Sequence, residues 1–576
     1  MRPHAACIVA AFAVGFSARA QAQVVDDARL RIQLYASGLD YPTTFAFLGA
    51  DELLAIERRT GKVEHLQAGQ IVGTALDLDV NSDGSRGGLG LVLDPAFASN
   101  RYVYIYYSAT TGGDGAAWTD HRIERFTWNG SQLVDRFGPI LSFMNDPSQE
   151  NASQHNSGYL RFGPDGKLYG MVGDMNRGRF DRPRIEQNTA SDRSSSCGAL
   201  FRINADGSTP ADNPFASQAD PYLQKWFVYG FRNSFGIDFD PLKGSLWFTD
   251  TGPFNYDEIN RADAGMNAGW LKILGPDARD EAYIENGYQS FDAADLVYLP
   301  GAFYRDPEFS FYQCIGITAI KFLHSKRVPE DLQDQALVSC SVTGELYHFA
   351  LSADRTHFEL SGDLADKVAD SNSERDPLRL AEFLGQITDL QLGPDGYLYL
   401  MSYYGGTMLR LRPVTDLVEP QGLIVNHGTL EHGAVLDLER SDDHSIAIAP
   451  DGESGARDVT LTLRLNATAL SRLDLIVEGH ATVAGARQEI LALDVPSRTW
   501  HSLDTRPAAH GDEIVTIADI ASPADYIDPL DLKMRVRVVQ WEEARGARSL
   551  PAPTRAMHEP GLRMILDQVR LLATYP

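Results

Sequence analysis

The sequence predicts an all-β chain: a six-bladed β-propeller followed by a C-terminal β-sandwich of jelly-roll-like texture. Three observations carry this reading. Strand–turn–strand units recur along the first two thirds, each running from alternating apolar residues into a Gly, Pro or Asp turn and a second β-rich run. Almost no helical periodicity separates them, which favours radial repetition of sheets over alternating strands and helices. Beyond about residue 415 the Gly-Pro-Asp-Gly units stop, and plain alternating strands take their place.

In chain order, residues 1–22 come first. Arg2 and His4 form a polar head, and Ala5 to Ser17 is an apolar run too short to span a bilayer. Ala18-Arg19-Ala20 and Ala20-Gln21-Ala22 offer small-x-small cleavage sites, so this stretch reads as a secretory signal peptide. The expectation is an exported protein, periplasmic or secreted, with no transmembrane anchor.

Residues 23–414 are assigned to the propeller. The apolar residues just before each turn are Phe47, Leu93, Phe162, Phe239, Phe322 and Leu392, spaced 46 to 83 residues apart. Such spacing allows a four-stranded blade with long loops. Two units share one turn, Gly163-Pro-Asp-Gly and Gly393-Pro-Asp-Gly; the unit at Phe322 is the weakest. Residues 415–576 carry strands such as Val459-Thr-Leu-Thr-Leu-Arg-Leu, Leu473-Asp-Leu-Ile-Val and Met534-Arg-Val-Arg-Val-Val. Trp500, Tyr526 and Trp541 there suit a core better than a ligand platform, and no catalytic motif stands out.

Composition narrows the function. The chain holds 78 Asp and Glu against 51 Lys and Arg among 576 residues, a net charge of −27. Coulomb repulsion opposes a nucleic-acid backbone or an anionic membrane as partner. Of the four cysteines, Cys7 leaves with the signal. Cys314 and Cys340 are close enough in sequence to pair, and Cys197 reads as a buried small apolar residue. No Cys-x-x-Cys-His occurs, which excludes covalent haem.

In a propeller, chemistry belongs just before or after the blade strands at one channel end. His155 precedes a blade strand, and Asp174 follows 19 residues later at the end of the next. A hairpin folded at Pro164-Asp-Gly returns the carboxylate to the imidazole, which makes either a general base or a structural pair. Arg232 and Asn233 precede another blade strand, where a guanidinium can hold an oxyanion or quinone oxygen, or form an ordinary ion pair. Gly252-Pro253 exposes carbonyls and Asp257 adds a carboxylate, hard oxygen atoms that suit calcium or form a plain acidic loop.

Together these stretches resemble the glucose/sorbosone dehydrogenases, soluble quinoproteins that use pyrroloquinoline quinone and calcium. The resemblance runs over about 30–412 through Glu57-Arg-Arg-Thr-Gly, Arg86-Gly-Gly-Leu-Gly, His155-Asn-Ser-Gly, Gly173-Asp174, Arg232-Asn233, Gly252-Pro253, Asp257-Glu-Ile-Asn and Gly265-Met-Asn-Ala-Gly-Trp. It implies an exported oxidoreductase that oxidises an aldose or similar sugar hydroxyl and passes electrons to an unidentified acceptor. On it His155 is the general base, Asp174 its partner, Arg232 the group that polarises the quinone, and Asn233 its neighbour. Arg86 would face the cofactor or substrate. Gly252 and Pro253 would ligate calcium, with Asp257 near the ion.

Three positions depart from the family pattern. Gln386 and Thr388 stand where arginines are usual, and Thr343 where a lysine is. Losing about three charge-assisted contacts, each worth about 1.5–3 kcal/mol, weakens quinone binding by several orders of magnitude. Arg177, Arg179, Arg182 and Arg184, just after Asp174, could resupply charge. The alternative is therefore a redox-inactive, calcium-stabilised propeller that serves as an extracellular binding module. A calcium-assisted hydrolase of lactonase type would need a set of converging side-chain ligands that the sequence does not display.

Overall fold

The computed structural model describes residues 23–144, 153–175, 183–192, 194–279 and 289–438, and in the C-terminal part 445–450, 456–465, 470–482, 486–509, 511, 513–542 and 563–575. The expected signal peptide lies outside these residues, as do Arg177, Arg179 and Arg182. No helix among the described residues is long and apolar enough to cross a membrane. The chain divides at Arg412–Pro413 into two compact units.

The first unit is a ring of six sheets whose three inner strands run antiparallel; short parallel pairings extend the outer edges of the third and fourth. Their innermost strands are Pro42–Gly49, Gly88–Leu93, Leu160–Phe162, Ile237–Phe239, Ile317–Phe322 and Ile387–Leu392. Each of these touches the next, and the sixth returns to the first. The six pre-turn residues named from the sequence all lie on these strands. At both Gly-Pro-Asp-Gly turns the Asp side chain accepts the N–H two residues on, Lys167 at 3.1 Å and Tyr397 at 3.1 Å. Gly166 and Gly396 take φ of 71° and 79°, a conformation glycine adopts without Cβ strain. The ring is closed by a strand from its own beginning: Leu30–Ser37 pairs with Thr407–Pro413 as the outer edge of the sixth blade.

Polar contacts across the channel lock the inner strands together. Asp238 of the fourth blade pairs with Arg161 of the third at 2.7 Å and with Lys321 of the fifth at 2.8 Å. Asp389 of the sixth accepts from Tyr159 Oη of the third at 2.7 Å and from Phe45 N of the first at 3.1 Å. Buried charges persist only when paired and bonded in this way.

The second unit is a sandwich of two antiparallel sheets. One contains Pro420–His427, Arg457–Arg464, Lys533–Glu542, Ala486–Asp494 and Thr499–Pro507; Met564–Thr574 and Arg472–Ala481 are central in the other. The inward residues of both sheets, such as Val459, Leu461, Leu475, Val536 and Leu566, form one apolar core, and Tyr526 packs against it.

The expected Cys314–Cys340 bridge is absent. Cys197, Cys314 and Cys340 are all thiols. The Cys314 thiol hydrogen-bonds the Asp257 carboxylate, whereas Cys340 Sγ lies 2.8 Å from Thr343 Oγ1. Each sulfur is thus directed to its own polar partner. Cys197 is fully buried, as expected.

Candidate active site at one end of the propeller channel

In every blade the inner strand runs away from one end of the channel and the second strand runs back to it. Residues just before an inner strand and residues just after a second strand therefore share that end. His155, Arg232 and Asn233 arrive by the first route; Asp174, Gly252 and Pro253 arrive by the second.

On the side formed by the third and fourth blades, His155 Nδ1–H donates to Asp174 Oδ1 at 2.6 Å. Asp174 is 1% exposed, and its Oδ2 accepts from Trp270 Nε1 at 3.1 Å. The bond fixes the tautomer, leaving the Nε2 lone pair of His155 free to accept a proton. Gly173 makes the convergence possible, since a Cβ there would meet His155 O at 2.2 Å and Arg232 O at 2.8 Å. Arg232 lies with its guanidinium carbon 5.9 Å from the Trp270 ring centroid. Its Nη1 donates to Thr251 O at 2.9 Å and Gly252 O at 3.2 Å.

A buried acidic shell shapes this half. Asp250 accepts the backbone N–H groups of Arg232 and Asn233 at 2.9 and 2.6 Å, and burial pushes its carboxyl up to about 7. Burial, then the charge of Asp250, raises Glu258 to about 8. Asp257, expected near a metal, spends its oxygens on the N–H groups of Gly252, Ile315, Gly316 and Ile317, at 2.6 to 3.2 Å. It holds the Gly252–Pro253 loop from behind, and burial raises its carboxyl. The Asn233 side-chain oxygen is buried without a hydrogen-bond partner.

A second run of hydrogen bonds starts at Asn156, the residue after His155. Asn156 Nδ2 donates to Ser85 Oγ at 2.8 Å, so its Oδ1 accepts from His121 Nε2 at 3.0 Å. His121 Nδ1 then accepts from Ser108 Oγ at 3.0 Å. Burial, aided by the charge of Arg86, holds His121 down to about 3, so it stays neutral.

Below the opening lies a cavity of about 200 Å³. Its wall from the fifth, sixth and first blades includes Ser341, Gln386, Thr388, Tyr403 and Arg58. Gln386 and Thr388 both line it. Thr343 does not line the cavity; Ser341, two residues earlier, does. Arg86 does not line this cavity either. It is buried with its guanidinium carbon 4.1 Å from the Trp118 ring centroid, and its neighbour Ser85 reaches the cavity instead. Arg184 is likewise not among the lining residues.

Tyr403 escaped the sequence reading, and Arg58 entered it only within Glu57-Arg-Arg-Thr-Gly, with no role assigned. Arg58 Nε donates to Tyr403 Oη, and Nη1 donates to Gly84 O at 2.8 Å and Arg86 O at 2.7 Å. Both residues directly follow the second strand of their blade, one position nearer to it than Asp174 is to its own, so nearly the same positional rule would have found them.

The glucose/sorbosone dehydrogenase family model matches residues 39–410. The chain belongs to the glucose/sorbosone dehydrogenase family. Its class is that of a sugar dehydrogenase-like oxidoreductase. Aldose sugar dehydrogenase YliI of Escherichia coli (strain K12) is 30% identical over 400 residues, spanning 67% of this chain and 94% of that protein. Quinoprotein glucose dehydrogenase B of Acinetobacter calcoaceticus is 28% identical over 256 residues, 42% of this chain and 52% of that protein. The crystal structure of the soluble aldose sugar dehydrogenase from Escherichia coli in the apo-form superposes with a TM-score of 0.50 at 24% identity. It covers 67% of this chain and 99% of that one, a likeness of fold.

Proposed function

We propose that the protein is exported and oxidises an aldose at its anomeric hydroxyl, using pyrroloquinoline quinone and calcium. The observation that carries this reading is the His155–Asp174–Trp270 relay beside Arg232, at one channel end in a chain of this family. The residues present fit the quinone on this half. Arg232 offers a guanidinium, Asn233 an unpaired buried oxygen, and Gly252 and Pro253 backbone carbonyls for a hard cation. Bound quinone supplies the two-electron acceptor for the reaction.

This chain's own residues do the rest. His155 Nε2 takes the proton of the sugar's anomeric hydroxyl. Asp174 stabilises the imidazolium so formed, and Trp270 keeps that carboxylate in register. Arg232 balances negative charge that develops opposite the base.

The test is titration of the calcium-loaded protein with pyrroloquinoline quinone, followed by dye reduction with aldoses. Saturable binding with turnover is expected. Calcium binding with no quinone-induced absorbance or thermal shift would overturn the reading in favour of a redox-inactive binding module.

A further inference from the structure

His155 sits on a stretch of strained backbone. It takes a φ of 55° and Ser157 a φ of 51°, left-handed values that cost free energy in a residue with a Cβ and persist only where surrounding bonds fix them. Asn156, between the two, is fully buried, and Ser157 is nearly so. Side chains of all three residues tie the stretch to three blades. His155 donates to Asp174 within the third. Ser157 Oγ accepts the N–H of Ser234, at the entry to the fourth, at 3.2 Å. Asn156 Oδ1 reaches the second, where it meets Nε2 of a different histidine, His121, at 3.0 Å.

The direction of each bond in that last run is set by its end. Ser153 O can only accept, so the Asn156 amide turns its Nδ2 to it, at 3.0 Å, and its oxygen to His121. His121 must then carry its proton on Nε2, which leaves Nδ1 to accept from Ser108 Oγ. Ser108 Oγ is itself anchored by the N–H of Gly87 at 3.0 Å. The ring has no room to turn. It lies 5.7 Å from the Tyr106 ring at an interplanar angle of 19°, and 5.0 Å from Trp118. A lysine or arginine could also donate to Asn156, but it would bury a second cation beside Arg86; a neutral imidazole donates one bond and adds no charge.

We propose that His121 is a positioning residue for His155, holding the strained turn through Asn156 so that the base keeps one tautomer and one orientation. The inference rests on the function proposed above for the role of His155, and adds to it a residue that touches no substrate. The hydrogen bond to Asp174 holds the His155 ring at one atom only, and a single bond leaves the ring free to swing if its backbone relaxes. Relaxation out of the left-handed region is what the Asn156 side chain prevents, because it is bonded at once to His121, Ser85 and Ser153. Of those three partners His121 is the one that meets the amide oxygen, and buried bonds chained in this way reinforce one another.

The test compares three variants of the full chain. His121→Phe keeps a ring between Tyr106 and Trp118 but has no donor, His121→Gln keeps an N–H that reaches Asn156, and Ser108→Ala leaves the imidazole in place but removes the hydroxyl that fixes its tautomer. Histidine labelled with ¹⁵N reports the His155 ring by NMR above neutral pH without quinone, its signals assigned by their loss in His155→Ala. That readout stands whether or not the protein turns over sugar. In the unaltered protein and in His121→Gln the His155 proton is expected on Nδ1 alone; in His121→Phe, and to a smaller degree in Ser108→Ala, it should be shared between the two nitrogens. With quinone and aldose supplied, His121→Phe should lower kcat about tenfold with KM held within about twofold, and His121→Gln should restore most of the loss. Where His121→Phe does not fold, Ser108→Ala decides. A His155 spectrum unchanged in Ser108→Ala and in folded His121→Phe, or disturbed as much in His121→Gln as in His121→Phe, would overturn the proposal.

Discussion

The two halves of the channel mouth are built from the same six-fold rule yet carry opposite chemistry. The half from the third and fourth blades holds an imidazole, a guanidinium and four buried carboxyl groups, Asp174, Asp250, Asp257 and Glu258. The half from the fifth, sixth and first blades offers Ser341, Gln386, Thr388 and Tyr403, with Arg58 the cation of that wall. Titratable groups are thus concentrated on one side, while the other is nearly uncharged. Position in the blade fixes where a side chain arrives; it does not fix what the side chain is.

Replacement of the base probes the asymmetry most severely. His155→Ala should lower turnover by about 10²–10⁴-fold while quinone affinity, read by absorbance titration, stays within about threefold. A parallel collapse of affinity would show that the two halves do not divide their labour.

The halves are joined beneath the cavity by Asp389, which bridges the first, third and sixth blades. Burial pushes its carboxyl up to about 6, against about 4 in an unfolded chain. The unfolded state therefore loses its proton first, and this group's contribution to stability falls as pH rises from about 4 to 6, by about 3 kcal/mol in total. Asp389→Asn should lack that fall, measured as the difference in denaturation midpoint between acidic and neutral pH. Identical pH slopes in the two proteins would rule out this carboxyl as the source.

Adding charge to the neutral half sharpens the contrast. Gln386→Arg and Thr388→Arg should each tighten quinone binding by about tenfold or more, the value of one charge-assisted contact. No gain in either variant would place the quinone's carboxylates elsewhere. The smallest effect belongs to Trp270→Phe. It removes one donor from a buried carboxylate, and turnover should fall several-fold, by about 1 kcal/mol, with the pH–rate profile displaced. An unchanged profile would leave Trp270 a packing residue only.

Much of this was legible in the sequence, for a physical reason. A one-face-buried strand must alternate, and a tight turn needs Asp and Gly, so the six inner strands announce themselves. The His155–Asp174 pair follows from folding one hairpin. What stayed hidden depends on side-chain direction at strand ends. A two-residue offset decides that Ser341 rather than Thr343 reaches the cavity, and a one-residue offset turns Arg86 under Trp118 while Ser85 faces inward. Cys314 and Cys340 flank the first fifth-blade strand and its neighbour in sequence, but a disulfide also needs Cβ vectors that converge. The pairing of Leu30–Ser37 with the last blade joins segments some 370 residues apart, a distance over which no local pattern speaks.

That borrowed strand has a consequence for how the molecule fails. Thr43 and Thr44 follow closely on Leu30–Ser37, so the clasp and the first stretch of binding wall are one continuous piece of chain. Mild denaturant that peels the clasp away should loosen that wall first, while five blades stay folded. Sugar capture should therefore vanish before the bulk of the sheet signal does, and the seam of the ring becomes the protein's fuse.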